Sequence, residues 1–390
     1  MNSIKAKFLL RPDITFLNNG SFGACPKEVF ADYQKWQLEL EQEPVQFITI
    51  NSYTYLAESR KALSAYIHCD AEDIVFVTNP SYAVNIIAKS FVLQEGDEIL
   101  TTNLEYGACE KTWNYYCKKS KATFVKAEIQ LPIVSTESFI EQFFSGLTSR
   151  TKMVFISQIT STTGLVLPVA EICAKAKQLG LITFVDGAHT PGQLPLNLTE
   201  LQADIFTGAC HKWLMAPKGC SFLYIKKELQ QLFDPLVVSW GYDSAKPSSS
   251  LFLDYHQLQG TRDISAFLTI PKALAFMEEN NWDEITKGSK KLVLDNASRF
   301  CALLGTQPLC PINETYLAQL FSIPIITNEP EKLQALLFQK YKIEIPVMVH
   351  FGKVYMRFSV QGFNTQEDLD ILYAALQDIL ATTDLIGLPN

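Results

Sequence analysis

The chain has 390 residues, 47% of them hydrophobic, and 33 basic against 41 acidic side chains give a formal charge of −8. That length accommodates two domains and a large core, while the acidic balance argues against general nucleic-acid binding. No run approaches the ~18 apolar residues of a membrane span, and the N-terminal apolar stretch is too short for a secretory signal, so a cytoplasmic protein with no membrane partner is expected.

Nine cysteines without a C-x-x-C pair or a His/Cys cluster predict buried free thiols and no metal site. Residues 1–25 lack a long periodic pattern and carry Asn18-Asn19-Gly20-Ser21-Phe22-Gly23 ahead of Pro26. Two glycines and two asparagines predict a tight loop, either a plain turn or a backbone that approaches a ligand closely. Apolar positions at three- and four-residue spacing predict helices over 27–43 and 53–67.

A strand at 73–77 runs through Thr78-Asn79-Pro80-Ser81-Tyr82 into a helix at 83–88. Free N–H groups and the helix dipole then point at an anion, although the same pattern fits an ordinary N-cap and contains no P-loop. A strand at 98–102 delivers Asn103-Leu104-Glu105-Tyr106-Gly107-Ala108 into a helix at 109–119. A strand at 123–129, a helix at 136–147, a strand at 152–159 and a helix at 169–179 follow. One more strand, 181–185, ends on Asp186. This alternation predicts an α/β domain with a mainly parallel sheet.

Residues 239–263, rich in Gly, Ser, Asp and aromatics, read as a long ordered loop. Helices at 264–280 and 282–304, a strand at 320–326, a helix at 330–341, strands at 343–349 and 354–359, and a helix at 365–382 form a smaller α+β unit. Thr365 is the expected N-cap of the last helix. The predicted division is an N-terminal arm and active-site loop (1–25), a large domain (26–265) and a small domain (266–390).

Asp186, at the tip of an apolar strand, stands where open α/β sheets place their ligands. Lys212, in Ala209-Cys210-His211-Lys212-Trp213, is poorly solvated, which depresses its pKa and suits it to attack carbonyls. A lysine that snorkels to the surface has similar neighbours. An acid and an imine-forming lysine are what pyridoxal 5'-phosphate (PLP) requires, since the acid keeps the pyridine nitrogen protonated and the ring electron-withdrawing.

Val185-Asp186-Gly187-Ala188-His189, followed by Thr207-Gly208-Ala209-Cys210-His211-Lys212-Trp213, closely resembles the class V aminotransferase group of fold-type I PLP enzymes. Three further strings resemble its isopenicillin N epimerase branch: Leu17-Asn18-Asn19-Gly20-Ser21-Phe22-Gly23, His211-Lys212-Trp213-Leu214 with Ala216-Pro217-Lys218-Gly219, and Gly260-Thr261-Arg262-Asp263. The resemblance implies the fold-type I PLP-dependent transferase fold, with a mainly parallel seven-stranded sheet and a smaller C-terminal domain.

By position, it makes Lys212 the imine lysine that later moves the Cα proton, Asp186 the pyridinium partner and His189 a neighbour of the ring oxygen. Tyr106 stands where relatives carry a ring-stacking His. Ser81 and Tyr82 would contact the phosphate, with His211 beside it. Thr261, after Gly260, would reach the phosphate of a neighbouring subunit, which implies a homodimer with shared sites. Arg357 matches the arginine that takes the substrate α-carboxylate, a task for a bidentate guanidinium fork; Asn19 and Gly20 would close that pocket.

There are departures. Ala209 replaces a phosphate-contacting Ser or Asn, Pro80 removes an N–H donor, and Tyr82 is bulkier than the family's Thr or Glu. The implied reaction is epimerase-like chemistry at Cα of an amino-acid substrate, with Tyr106 or His350 as the second acid. A C–S lyase, a class V aminotransferase and a non-catalytic PLP-fold binding protein are the alternatives. Residues 311–357 contain no cysteine, which disfavours a persulfide-forming desulfurase.

Overall fold

Seven strands, most of them buried, form the central sheet of the computed structural model, which describes residues 4–389. In chain order they are β1 (Ile74–Val77), β2 (Glu98–Thr102), β3 (Thr123–Ala127), β4 (Thr151–Ser157), β5 (Ile182–Gly187), β6 (Ile205–Ala209) and β7 (Ser221–Ile225). They lie in the order β1-β7-β6-β5-β4-β2-β3. Every pair is parallel except β1–β7 and β7–β6.

Successive side chains of a strand go to opposite faces. Val75, Val77, Phe155 and Phe184 join Ile86, Ile87 and Trp113 in one core, while Phe76, Val154, Ile156, Val185 and Phe206 belong to the other. With both faces covered, β1 reads as an unbroken hydrophobic run, whereas the edge strand β3 keeps Thr123 exposed and Lys126 half-buried.

Helices α1 (Lys27–Gln42), α2 (Ser52–Ile67), α3 (Pro80–Ser90), α4 (Gly107–Ser120), α5 (Thr136–Phe144) and α6 (Val169–Gln178) accompany the sheet. The start of α3 is fixed by Asn79, whose Oδ1 accepts from the Tyr82 N–H at 2.8 Å. Pro80 occupies the first turn, where a missing N–H removes no intrahelical bond.

Three predicted elements differ in detail. Residues 239–263 are not all loop: α7 (Leu251–Gln257), capped by Ser250, buries Phe252 and Leu253 in the core beside β1. Its two-turn apolar face is too short to stand out in a Ser-rich stretch. The helix read over 264–280 breaks at Thr269 into Ser265–Leu268 and α8 (Ile270–Glu279), because Pro271 has no N–H for the preceding turn. The strand read over 343–349 splits around Pro346.

The C-terminal unit pairs α9 (Trp282–Leu303), α10 (Pro330–Gln339) and α11 (Gln366–Thr382) with a three-stranded antiparallel sheet. Its strands are β8 (Leu320–Ile325), β9 (Val347–His350) and β10 (Lys353–Ser359), with β10 central. A Thr365/Asp368 capping box starts α11. Thr15–Phe16 pairs parallel with Ile343–Glu344, which carries the Asn18–Gly23 loop onto this unit. All nine cysteines are free thiols. No helix among the described residues is long and apolar enough to cross a membrane.

Candidate active site

The C-terminal ends of β1, β2, β4, β5 and β6 deliver Ser81, Tyr106, Ser157, Asp186 and Lys212 to one cavity of about 560 Å³, which Gly20 and Arg357 line from the other unit. Loop ends are where an open α/β sheet leaves backbone free for ligands.

Lys212 Nζ lies 3.2 Å from His189 Nε2. Burial pushes the lysine down to about 7, the Arg357 charge adds to the effect, and Asp186 opposes it. His189 is buried, and its proton affinity is held well below the usual histidine range by that burial and by the nearby cations Lys212 and Arg357. Trp213 Nε1 can only donate, and it does so to His189 Nδ1 at 3.3 Å. The neutral imidazole therefore carries its proton on Nε2, facing the lysine.

Asp186 is 4% exposed. The Ala188 N–H donates to its Oδ1 at 2.9 Å, and the Cys109 thiol lies 3.5 Å from Oδ2. Burial raises its pKa, and the Ala188 hydrogen bond and Lys212 counter this. A cationic partner at Oδ2 would supply what burial has removed.

Arg357, on the central strand β10, is 1% exposed. Nη1 donates to the Ser161 carbonyl and lies 3.4 Å from Ser161 Oγ; Nη2 is 3.3 Å from Ser21 Oγ. Nε has no partner among the described residues. Burial lowers this guanidinium to about 10, with Tyr106 opposing. Among the described residues no carboxylate comes within ion-pair distance of it. A buried cation without an anion is an anion site by charge alone.

The Asn18–Gly23 stretch, read as a tight loop, folds instead as one helical turn over Asn19–Phe22, and its Gly20, Ser21 and Phe22 line the cavity. A Cβ on Gly20 would come 2.8 Å from Leu320 Cδ2 and 3.2 Å from Arg357 Nη2; one on Gly23, at φ +72°, would come 2.0 Å from the His211 carbonyl oxygen. Asn19 is fully buried and anchors the loop by accepting from the Ala24 N–H at 3.0 Å.

Ser81, Tyr106, Asp186, His189, His211, Lys212, Gly20 and Arg357 thus share one cavity. Tyr82, Gly260 and Thr261 are not among its described lining residues; the Tyr82 hydroxyl donates to Gln259 at 3.1 Å, and Gly260 has φ +95°. His350 sends Nε2 to the Asn103 carbonyl at 2.9 Å and is not a lining residue either.

Sequence reading missed several partners. Glu105 is buried, accepts from the Ser157 N–H at 3.0 Å, from Ser157 Oγ at 2.5 Å and from Thr102 Oγ1 at 2.8 Å, and so ties the Tyr106 loop to β4. Burial pushes its pKa up to about 7 against those hydrogen bonds. Cys109, Ser161 and Lys218 also line the cavity. Glu105, one residue before the aromatic at the start of α4, and Lys218, in Ala216-Pro217-Lys218-Gly219, stand in strings already singled out; Cys109 and Ser161 carried no signal.

The family described as aminotransferase class-V matches residues 17–372. The chain belongs to the class V aminotransferase family. This class V chain is 30% identical to the isopenicillin N epimerase of Streptomyces clavuligerus, over 95% of the chain and 96% of the relative. It is 28% identical to the probable chloroplastic L-cysteine desulfhydrase of Arabidopsis thaliana, over 95% and 83%. The apo cysteine desulfurase of Thermococcus onnurineus NA1 superposes with a TM-score of 0.84 at 21% identity, covering 97% of each chain, a likeness of fold.

Pyridoxal 5'-phosphate is the cofactor of this class V chain, and the residues fit it. A half-buried amine with its pKa lowered to about 7, a buried carboxylate whose Oδ2 has only a thiol for a partner, and a helix start directed into the cavity match aldehyde, pyridinium and phosphate in turn.

Proposed function

We propose that this protein is a PLP-dependent enzyme that moves the Cα proton of an α-amino-acid substrate, in the manner of an epimerase or racemase. When bound, the cofactor supplies an electron sink that acidifies the Cα–H bond. The observation that carries the reading is Lys212 Nζ, 3.2 Å from His189 Nε2, with a proton affinity lowered to about 7. An amine poised there both takes and returns a proton at neutral pH.

In this reading Arg357 and Ser21 hold the α-carboxylate, Asp186 pairs with the ring nitrogen, and His189 donates Nε2–H towards the ring oxygen. Tyr106, from a different element of the same cavity, protonates the face of Cα away from Lys212. Ile159 and Met348 give the cavity apolar wall, which lowers the local dielectric around the proton being moved.

A second reading, elimination of a sulfur group from Cβ, draws support from the desulfhydrase relative. The absence of cysteine from 311–357 restricts it to direct loss of the thiol. Incubation of the holoenzyme with L-amino acids in D2O separates the two. Racemised substrate carrying deuterium at Cα is the expected product; pyruvate together with released sulfide would replace the epimerase reading by the lyase.

The protein is further proposed to act as a homodimer whose sites are shared, with Thr261 reaching a neighbour's phosphate. Beside that loop Val238, Trp240 and Leu251 are 66%, 86% and 61% exposed, an apolar patch suited to cover by a second copy. Sedimentation equilibrium at micromolar protein should give twice the chain mass, and a monomer would dispose of the shared site.

A further inference from the structure

The phosphate end of the cavity is lined by Thr78, Asn79 and Ser81 but is short of positive charge. Pro80 has no N–H, and the Tyr82 N–H is already taken by Asn79 Oδ1 at 2.8 Å. Ala209 offers no side-chain donor. His211 Nδ1 lies 3.0 Å from the Cys220 carbonyl, which can only accept, so the neutral ring presents a lone pair at Nε2. Burial lowers His211 to about 4, leaving the ring uncharged at neutral pH. A dianion there lacks a counter-charge.

The sheet supplies one. β1 and β7 pair antiparallel with Ile74 opposite Tyr224, Phe76 opposite Phe222 and Val77 opposite Ser221. Continued past the strand ends, that register brings the Thr78–Ser81 loop alongside Lys218-Gly219. Both segments line the cavity. Among the described residues Lys218 makes no ion pair with an acidic group, although it lies at the rim of a site whose lining includes Asp186 as its sole carboxylate. It is exposed at this edge, although desolvation lowers its pKa from the ordinary lysine value; a dianion beside it would favour the charged form.

We propose that Lys218 is the cation that neutralises the cofactor's phosphate, standing in for the donor that Ala209 does not provide. The assignment rests on PLP as the cofactor and adds a residue to its site. It places the phosphate between the α3 start and the β6–β7 connection, held by a point charge from one side and by N–H dipoles from the other.

The test uses apo protein titrated with PLP and, in parallel, with pyridoxal, which lacks the phosphate; the readout is the visible absorbance of the lysine-bound aldehyde. Lys218→Met should weaken PLP binding by at least about ten-fold while moving the pyridoxal affinity by less than about two-fold, as expected for loss of one charge-assisted contact. Lys218→Arg should restore PLP affinity. A second measurement needs no variant: millimolar inorganic phosphate should tighten pyridoxal capture by the native protein. The proposal is overturned if Lys218→Met binds PLP as tightly as the native protein, or loses PLP and pyridoxal alike, or changes only a substrate KM. Capture of PLP and pyridoxal by Lys212 in the native protein would, in each of those cases, leave the cofactor assignment standing.

Discussion

Lys212→Ala protein given PLP should show no visible band from lysine-bound cofactor, and turnover should fall by at least about 10³-fold, since the residue is both the attachment point and the proposed proton carrier. The pH profile of the native apo protein makes the same point without a mutation. The folded pKa of Lys212 is about 7, against an ordinary value of 10.5. The free amine, which is the nucleophile, is present above the folded value, so the rate of PLP capture should climb from pH 5 and level off just above 7. A rate still climbing at pH 9 would mark an ordinary lysine and remove the basis for its role.

The linkage has a definite sign. Between about 7 and 10.5 the unfolded chain keeps the Lys212 proton that the folded chain has released, so the apo protein gains stability as pH rises through that window. Below it both states are protonated and the buried charge weighs on the fold in full. Denaturant midpoints of native and Lys212→Met apo protein should therefore converge as pH rises towards 10.

How much of this was legible follows from distance along the chain. Asp186 and Lys212 could be read because their signals are local: a strand that stops on an acid, and a lysine among Cys, His, Trp and Leu. Arg357 could be read for the same reason, with Met356 and Phe358 on either side. The partners that give these groups their properties could not. Trp213 fixes the His189 tautomer from a position 24 residues along the chain, and the Ser161 carbonyl reaches Arg357 from a separate loop. Neither pairing leaves a periodicity or a motif.

Lys218 is the clearest instance. In the sequence it is one letter in Ala216-Pro217-Lys218-Gly219, and its nearness to Ser81 arises only from the β1–β7 pairing of strands far apart in the chain. β6 and β7 were not read as strands, since Thr207, Gly208 and Ser221 interrupt their apolar residues. Short α7 was hidden for a different reason: seven residues hold too few apolar positions to establish a 3.6-residue period.

Arg357→Leu should cost about 10²- to 10³-fold in kcat/KM for amino-acid substrates, because the guanidinium has no counter-ion until a carboxylate arrives. Arg357→Lys keeps the charge and loses the fork, so about ten-fold of that loss should remain. The decisive comparison pairs each variant with an amino acid and with the corresponding amine, which lacks the α-carboxylate. Native enzyme should discriminate strongly between the two, and Arg357→Leu should hardly discriminate; equal discrimination by both would mean that the carboxylate binds elsewhere. Stability separates this from a structural role. An arginine 1% exposed, with Nε unpartnered and no acid in reach among the described residues, burdens the fold rather than supporting it. Arg357→Leu apo protein should accordingly unfold at the same or a higher denaturant concentration than the native chain. A clear loss of stability would instead assign the guanidinium to holding Ser21 and Ser161 in place, with catalysis affected only through them.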